Sequence, residues 1–320
     1  MLKLPLTALA GLYMLLVIAI AGGGAWKAAT RPAPPVGDFV TVDGRSMRVV
    51  CVGARSERPT ILLTNGAFGY AGDWAEVQAR LAREGLRSCA FDRAGQGFSE
   101  PSAARRDAEA IASDMEKALE RLNEPGPYVL AGHSMAGILM RVQWGRMPDR
   151  VKGIVLVDAA HPEAVDSETA QRWLKAWSEA SDLGAVLARL GVFTAVAPFI
   201  GDQIGLAPEA SLEKKHVFAS ARHNAESARE VAQAFRSARQ AVRYGMPPPE
   251  FPIAVVTAGP VDQGDDASYE ASKAAFARRS KQGLYENVPD ATHGSLLGIA
   301  HADRVVAAIL HVTRAAEANS

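Results

Sequence analysis

Cysteine is nearly missing from this chain: Cys51 and Cys89 are the only two in 320 residues. Neither stands near a histidine and no Cys/His set has metal-ligand spacing, so no metal site is expected. Charge of one sign is missing too. Lys and Arg total 35, and Asp and Glu total 35, so nothing in the balance argues for nucleic acid or a strongly charged partner. No G-x-G-x-x-G follows the first strand, which leaves Gly95-x-Gly97 without support as a phosphate cradle, and no cofactor is expected. Internal repeats are absent, and the one biased tract is Thr30-Arg31-Pro32-Ala33-Pro34-Pro35. What remains, 48% hydrophobic and 22% charged, is the composition of a globular chain with a sizeable core.

The first residues stand apart. Residues 4–21 carry no charge, and the densest apolar run is Leu12-Tyr13-Met14-Leu15-Leu16-Val17-Ile18-Ala19-Ile20. That length suits a membrane-spanning helix. Ala19-Ile20-Ala21 also reads as a signal-peptidase site, so a cleaved signal peptide is the rival. Residues 1–26 are therefore expected to be an anchor or signal segment and 27–37 a stiff Pro-rich linker. The body is expected outside the cytoplasm, periplasmic or extracellular, either tethered by a single pass or secreted.

From Phe39 the pattern is one of short apolar runs alternating with helical spacing. Phe39 to Val52, with Asp43-Gly44 at its centre, reads as a hairpin. Residues 59–64, 87–91, 128–131, 151–157, 253–257 and 283–288 read as strands. Trp74 to Glu84, Ala108 to Leu122, Met135 to Met147 and Ala302 to Ala316 read as helices. Strands and helices alternating in this way predict an α/β fold: a mostly parallel, doubly wound sheet covered on both faces. Residues 161–250 carry almost no strand signal. Helical spacing over Ser167 to Leu190 and Ser211 to Arg243, with a turn-rich connection from Gly191 to Gly205, predicts a helical insertion between two sheet strands.

One stretch carries chemistry. Tyr128-Val129-Leu130-Ala131 has the composition of a buried strand, it breaks at Gly132, and a helix follows Ser134. A serine on so sharp a turn has its hydroxyl pushed out at the strand's carboxyl end. The helix N-terminus behind it offers N–H groups for developing negative charge. The pattern departs from G-x-S-x-G in having Ala136 at its last position, with the glycine displaced to Gly137. Alanine is still small enough for strand and helix to approach. An ordinary Gly-Ser turn is the alternative for the pentapeptide alone.

Four stretches in order carry a resemblance to the α/β-hydrolase superfamily. They are Asn65-Gly66, the D-R-x-G-x-G-x-S run from Asp92 to Ser99, the elbow at Ser134, and Ala291-Thr292-His293-Gly294. The resemblance covers about residues 38 to 315. Residues 87–95 and 154–162 look particularly like a bacterial branch with an N-terminal membrane segment. It implies a core of residues 38–160 and 251–316 and a lid at 161–250.

It also implies a Ser–acid–His triad on loops at the strands' carboxyl ends. Ser134 would be the nucleophile and His293, in the short loop after the last strand, the base, while His301 and His311 of the seven histidines lie at or on the final helix. His133 is expected to point away from the site and His161 to line the pocket, while His216 and His223 fall on the lid. The acid is expected at Asp158, ending the strand after the elbow, with Asp262 as the alternative and Asp265 or Asp266 behind it. The oxyanion hole would use the N–H of Met135 and that of Ala67, or failing that Phe68. Asp92-Arg93 is expected to tie loops together. Cys51 and Cys89 would lie on neighbouring strands, either as a disulfide or as two buried thiols.

The expected activity is a serine hydrolase of carboxylic esters, carboxylesterase- or lipase-like, acting on a small to medium apolar substrate. The alternatives are a cofactor-free perhydrolase or oxygen-handling enzyme, and a non-catalytic binding protein on the same fold. A serine nucleophile disfavours dehalogenase and epoxide-hydrolase chemistry, which runs through a carboxylate. The lid aromatics Trp173, Trp177, Phe193 and Phe199 are expected to be mostly lid core.

Overall fold

The structure is a computed structural model and describes residues 6–163, 168–260 and 267–319. Its centre is a sheet of eight strands: β1 (Asp38–Val42), β2 (Arg45–Val52), β3 (Thr60–Thr64), β4 (Ser88–Phe91), β5 (Tyr128–His133), β6 (Val151–Val157), β7 (Ile253–Ala258) and β8 (Leu284–Val288). Their order is β1-β2-β4-β3-β5-β6-β7-β8. The β1–β2 and β2–β4 pairs are antiparallel, and every pair from β4 to β8 is parallel. The hairpin forms because Asp43 (φ 47°) and Gly44 (φ 75°) both adopt the left-handed conformation that a tight two-residue turn needs.

Alternation along the strands builds two cores. Leu62, Leu130, Leu156 and Cys89 face one side and pack with α3 (Ala108–Arg121), α4 (Ala136–Arg146) and α9 (Ala234–Arg243). Ile61, Leu63, Val129, Val155 and Val256 face the other, under α2 (Ala75–Arg83) and α11 (Ala302–Ala318). Both faces are covered, so the parallel strands read as continuous apolar runs. Truncating a fully buried leucine such as Leu62 in so close-packed a sheet costs about 2–5 kcal/mol.

Strand register sets the site. Gly132 pairs with Thr64 of β3, and His133 with Val157 of β6. The residues just beyond, Asn65, Ser134 and Asp158, therefore emerge together at the carboxyl edge. The chain leaves β3 toward β4 on one side and returns to β5 on the other, so the two loops diverge there and open a crevice.

Between β6 and β7 run α5 (Glu168–Arg189), α6 (Val192–Ile200), α7 (Pro208–Phe218), α8 (Ala221–Val231) and α9. Two details differ from expectation. The turn-rich connection after Gly191 contains α6, an apolar helix of which Ala197 is buried. The single helical stretch from Ser211 is three helices, because Ser220 caps α8 by accepting from the His223 N–H. A helix absent from the expectations, α10 (Ala267–Arg278), precedes β8. Asp262, Asp265 and Asp266 lie outside the described residues.

At the N-terminus α1 (Leu6–Ala29) continues through Gly22-Gly23-Gly24 instead of stopping there. A Cβ on Gly23 would lie 2.5 Å from the Thr194 carbonyl oxygen, so glycine lets α1 lie directly on α6. Among the described residues no single helix is long and apolar enough to cross a membrane, and the apolar stretch is Tyr13–Ala29. The expectation of a spanning or signal segment thus gains no support from the helix itself. Cys51 and Cys89 face each other across the antiparallel β2–β4 pair and form a disulfide, which decides between the two alternatives.

Candidate active site

Five non-glycine residues among those described have left-handed backbone: Asp43, Phe68, Asn123, Ser134 and Asp158. Asp43 and Asn123 are turn residues of the type that tolerates this conformation. The other three belong to one place, and backbone strain of this kind persists only where surrounding structure over-determines it. Ser134 (φ 58°) sits on the turn between β5 and α4. Its N–H donates to the Val157 carbonyl at 3.1 Å, and its own carbonyl accepts from Gly137 and Ala160. Two glycines explain why the elbow can form. A Cβ on Gly132 would meet Met140 Sδ at 2.6 Å and Ala136 Cβ at 2.9 Å, and one on Gly137 would meet the Ala160 oxygen at 2.3 Å. Ala136 stands buried in the position often held by glycine, with its methyl group accommodated because Gly132 has none.

Asp158 and His293 lie side by side. His293 Nδ1 and Asp158 Oδ2 are 2.6 Å apart, and Lys273 Nζ on α10 donates to Asp158 Oδ1 at 2.9 Å. Burial alone would raise the Asp158 carboxyl. The hydrogen bond from His293 and the Lys273 charge outweigh it and bring the pKa down to about 2. Asp158 is thus an anion at any ordinary pH. Lys273, buried on α10, is a member of the site that sequence spacing does not reveal.

Ser134 and His293 line one cavity of about 250 Å³ together with Gly66, Phe68, Lys214 and His133. The Ser134 hydroxyl itself makes no hydrogen bond among the described residues. His133 does not point away. Its ring centroid lies 4.3 Å from that of His293, and Nε2 donates to the His293 carbonyl oxygen at 2.8 Å. The reason is that β5 extends two residues further than its apolar run suggests, so His133 is still a strand residue and projects into the crevice. Burial, reinforced by the neighbouring His293, lowers its pKa to about 3 and keeps it neutral. His161 does not reach this cavity. It lies under Phe276 beside a much smaller void, and burial lowers its pKa to about 4.

The loop after β3 stands over the serine. A Cβ on Gly66 would fall 2.7 Å from Ser134 Cβ and 3.3 Å from its Oγ. The backbone N–H groups of Ala67, Phe68 and Met135 donate to no acceptor among the described residues, and Ala67 and Phe68 line the cavity. Arg93 fixes this loop, donating to the Asn65 oxygen at 2.6 Å and the Gly66 oxygen at 2.9 Å. Its Nε pairs with Glu230 of α8 at 2.9 Å, both side chains buried. Asp92 meanwhile accepts from the backbone of Ala71 and Phe98. The two residues do tie loops together, as expected, though to different partners. His223 of α8 adds a further tie: Nδ1 accepts from the Gly97 N–H at 3.1 Å, so Nε2 carries the proton and donates to the Phe68 oxygen at 3.1 Å. Burial, with the Lys214 charge behind it, lowers the His223 pKa to about 3.

Lys214 of α7 borders the serine cavity and pairs with the buried Asp73 at 2.7 Å. Phe68, Lys214 and Phe218 also border a second chamber of about 290 Å³, walled by Trp177, Gly184 and Phe193. Phe193 stacks on Phe218 with centroids 5.0 Å apart. Trp173 and Phe199 are not lid core: both are largely exposed.

This sheet order, with its lid after β6 and its Ser–Asp–His arrangement at the carboxyl edge, defines an α/β-hydrolase-fold protein. The family model described as alpha/beta hydrolase fold matches residues 59–191. Among curated proteins, an uncharacterized protein of Bacillus subtilis, YbdG, is 28% identical over 127 residues, which is 40% of this chain and 39% of that protein. The chain thus spans about two fifths of the length of this relative. Among solved structures, a thermophilic esterase from Thermogutta terrifontis is 22% identical with a TM-score of 0.61, covering 89% of this chain and 99% of that one. The Cif epoxide hydrolase from Acinetobacter nosocomialis is 16% identical with a TM-score of 0.69, covering 97% of each chain. These likenesses establish the fold.

Proposed function

We propose that the protein is a serine hydrolase that opens a carboxylic ester or related acyl bond through an acyl-enzyme. The observation that carries this is the Asp158–His293 hydrogen bond, with His293 sharing a cavity with a serine held in the left-handed turn. His293 takes the Ser134 proton through Nε2 as Oγ bonds to the acyl carbon. Asp158 holds the ring by Nδ1 and stabilises the imidazolium without accepting its proton. The N–H groups of Met135 and Ala67, with Phe68 adjacent, receive the charge that develops on the carbonyl oxygen. The imidazolium then protonates the leaving alkoxide as the C–O bond breaks, and water activated by the same histidine releases the acid. A hydroxyl at the elbow, where an alkyl-enzyme ester would need a carboxylate, supports this over epoxide opening.

The substrate we infer is apolar and of small to medium size, its hydrocarbon part lying past Phe68 in the aromatic-walled chamber. The disulfide supports a body that folds in an oxidising compartment outside the cytoplasm.

Labelling with a fluorophosphonate probe tests the serine chemistry. Wild type should label, Ser134→Ala should not, and His293→Ala should label at least about a hundredfold more slowly. An unlabelled, folded wild type would refute the proposal. A series of p-nitrophenyl esters of increasing acyl length then tests the chamber. Gly184→Phe should move the preferred length downward while leaving the acetate ester unaffected.

A further inference from the structure

The N-terminal helix and the lid share one uncovered apolar surface. Tyr13, Met14, Leu15, Leu16, Val17 and Ile18 are successive residues of α1 and all are exposed, Leu15 at 66%. Six consecutive helical positions take in the whole circumference, so this turn is apolar on every side. At its other end α1 meets the corner between α5 and α6: Ile20 Cγ2 would touch a Cβ on Gly191 at 3.0 Å, and Gly23 lies on Thr194. Next to that contact Leu190 is 62% exposed, and Val186 and Leu183 continue the same stripe of α5 at helical spacing. One turn earlier the stripe carries Glu179, where the apolar surface stops. On α6, Phe199 is 84% exposed, with Ile200 beside it. The two lid helices meet at 101°, and only as a bent pair do they have the length and composition of a membrane segment.

We propose that this surface docks on a phospholipid bilayer, with α1 and the α5–α6 corner in contact with acyl chains and the lid chamber opening toward the lipid. A second copy of the chain could cover one side of α1 and leave the rest in water, whereas lipid covers all sides at once. The close Gly23–Thr194 backbone approach is the kind of packing that holds apolar helices together where water is absent. The bent pair lies across the interface, as an exposed apolar corner bounded by Glu179 would. The docking does not depend on the serine chemistry, and it is read without measuring activity.

The test uses the full chain reconstituted in phosphatidylcholine vesicles that contain a doxyl-labelled phosphatidylcholine quencher. An environment-sensitive fluorophore is attached in separate variants at Leu190→Cys, Phe199→Cys and the remote Lys281→Cys, without reductant so that Cys51–Cys89 stays closed. Lipid-borne quenching at positions 190 and 199 should exceed that at 281 several-fold. If all three are equally and weakly quenched while the protein remains with the vesicles, α1 alone holds the membrane or another copy covers the lid face. Either result overturns the proposal. Leu183→Cys supplies a second site on the α5 stripe should Leu190→Cys fold poorly.

Discussion

Asp158 stands 2.6 Å from His293 on one oxygen and 2.9 Å from Lys273 on the other, so a single partly buried carboxylate is shared by an imidazole and an ammonium. Removing its charge should act on rate more than on fold. Asp158→Asn is expected to lower kcat for a short p-nitrophenyl ester by about 10³–10⁴, since the amide no longer stabilises the imidazolium. Asp262→Asn should leave it within a few-fold. The reverse result would move the acid to Asp262.

The same carboxylate links stability to pH. Its folded pKa of about 2 lies below the usual 3.8, so its contribution is complete above pH 4 and disappears as the pH falls through 2. Urea midpoints of wild type and Asp158→Asn should therefore differ at pH 7, by on the order of 2 kcal/mol, and converge near pH 2.

His223 and His133 act in a higher window. His223 is buried and His133 partly buried, and both are held neutral, with folded pKa values of about 3 against an unfolded 6.5. The unfolded chain binds their protons first, so stability should be full above pH 6.5 and fall progressively toward pH 3. Two such groups give a slope of up to about 2.7 kcal/mol per pH unit. His223→Gln should reduce that slope by about one proton's worth, as read from denaturant midpoints between pH 6.5 and 4.

Gly66 has no room for a side chain, because its Cβ would strike Ser134 at 2.7 Å. Gly66→Ala should cost catalysis far more than stability. The expected loss in kcat is about 10²–10³, comparable to removing an oxyanion donor, with KM little changed. A folded variant with undiminished kcat would show that the loop plays no part in the reaction.

The disulfide closes a loop with a sequence separation of 38 residues. By loop-closure entropy, Cys51→Ser with Cys89→Ser should lose about 4 kcal/mol, and a reducing agent should reproduce the loss in the wild type. Thermal or urea unfolding with and without dithiothreitol measures it.

The strands were legible because buried parallel strands are runs of apolar residues bounded by turn chemistry, and the elbow because glycine and serine punctuate it. What the sequence does not declare depends on long-range contacts. Lys273 became a partner of Asp158 only when α10 folded beside β7, and nothing local marks that lysine. The direction of His133 depends on a smaller feature: the strand continues through Gly132 by pairing with Thr64, a register no single segment declares. The breaks between α7, α8 and α9 likewise come from a cap at Ser220 and from packing on the core, which outweigh continuous helical spacing.

The lid is fastened unevenly. On α7 and α8, Lys214 reaches Asp73, Arg222 donates to the Gly97 and Ser99 carbonyls, and Glu230 grips Arg93. α6 joins α7 through stacked rings, Phe193 against Phe218, and one hydrogen bond from the Thr194 hydroxyl to the Ala219 carbonyl. Lifting the riveted side would break buried ion pairs and distort the very loop that stands over Ser134, while sliding one ring off another costs far less. The α7–α8 side is therefore the fixed side of the insertion, held by the same Arg93 that fixes the loop over Ser134.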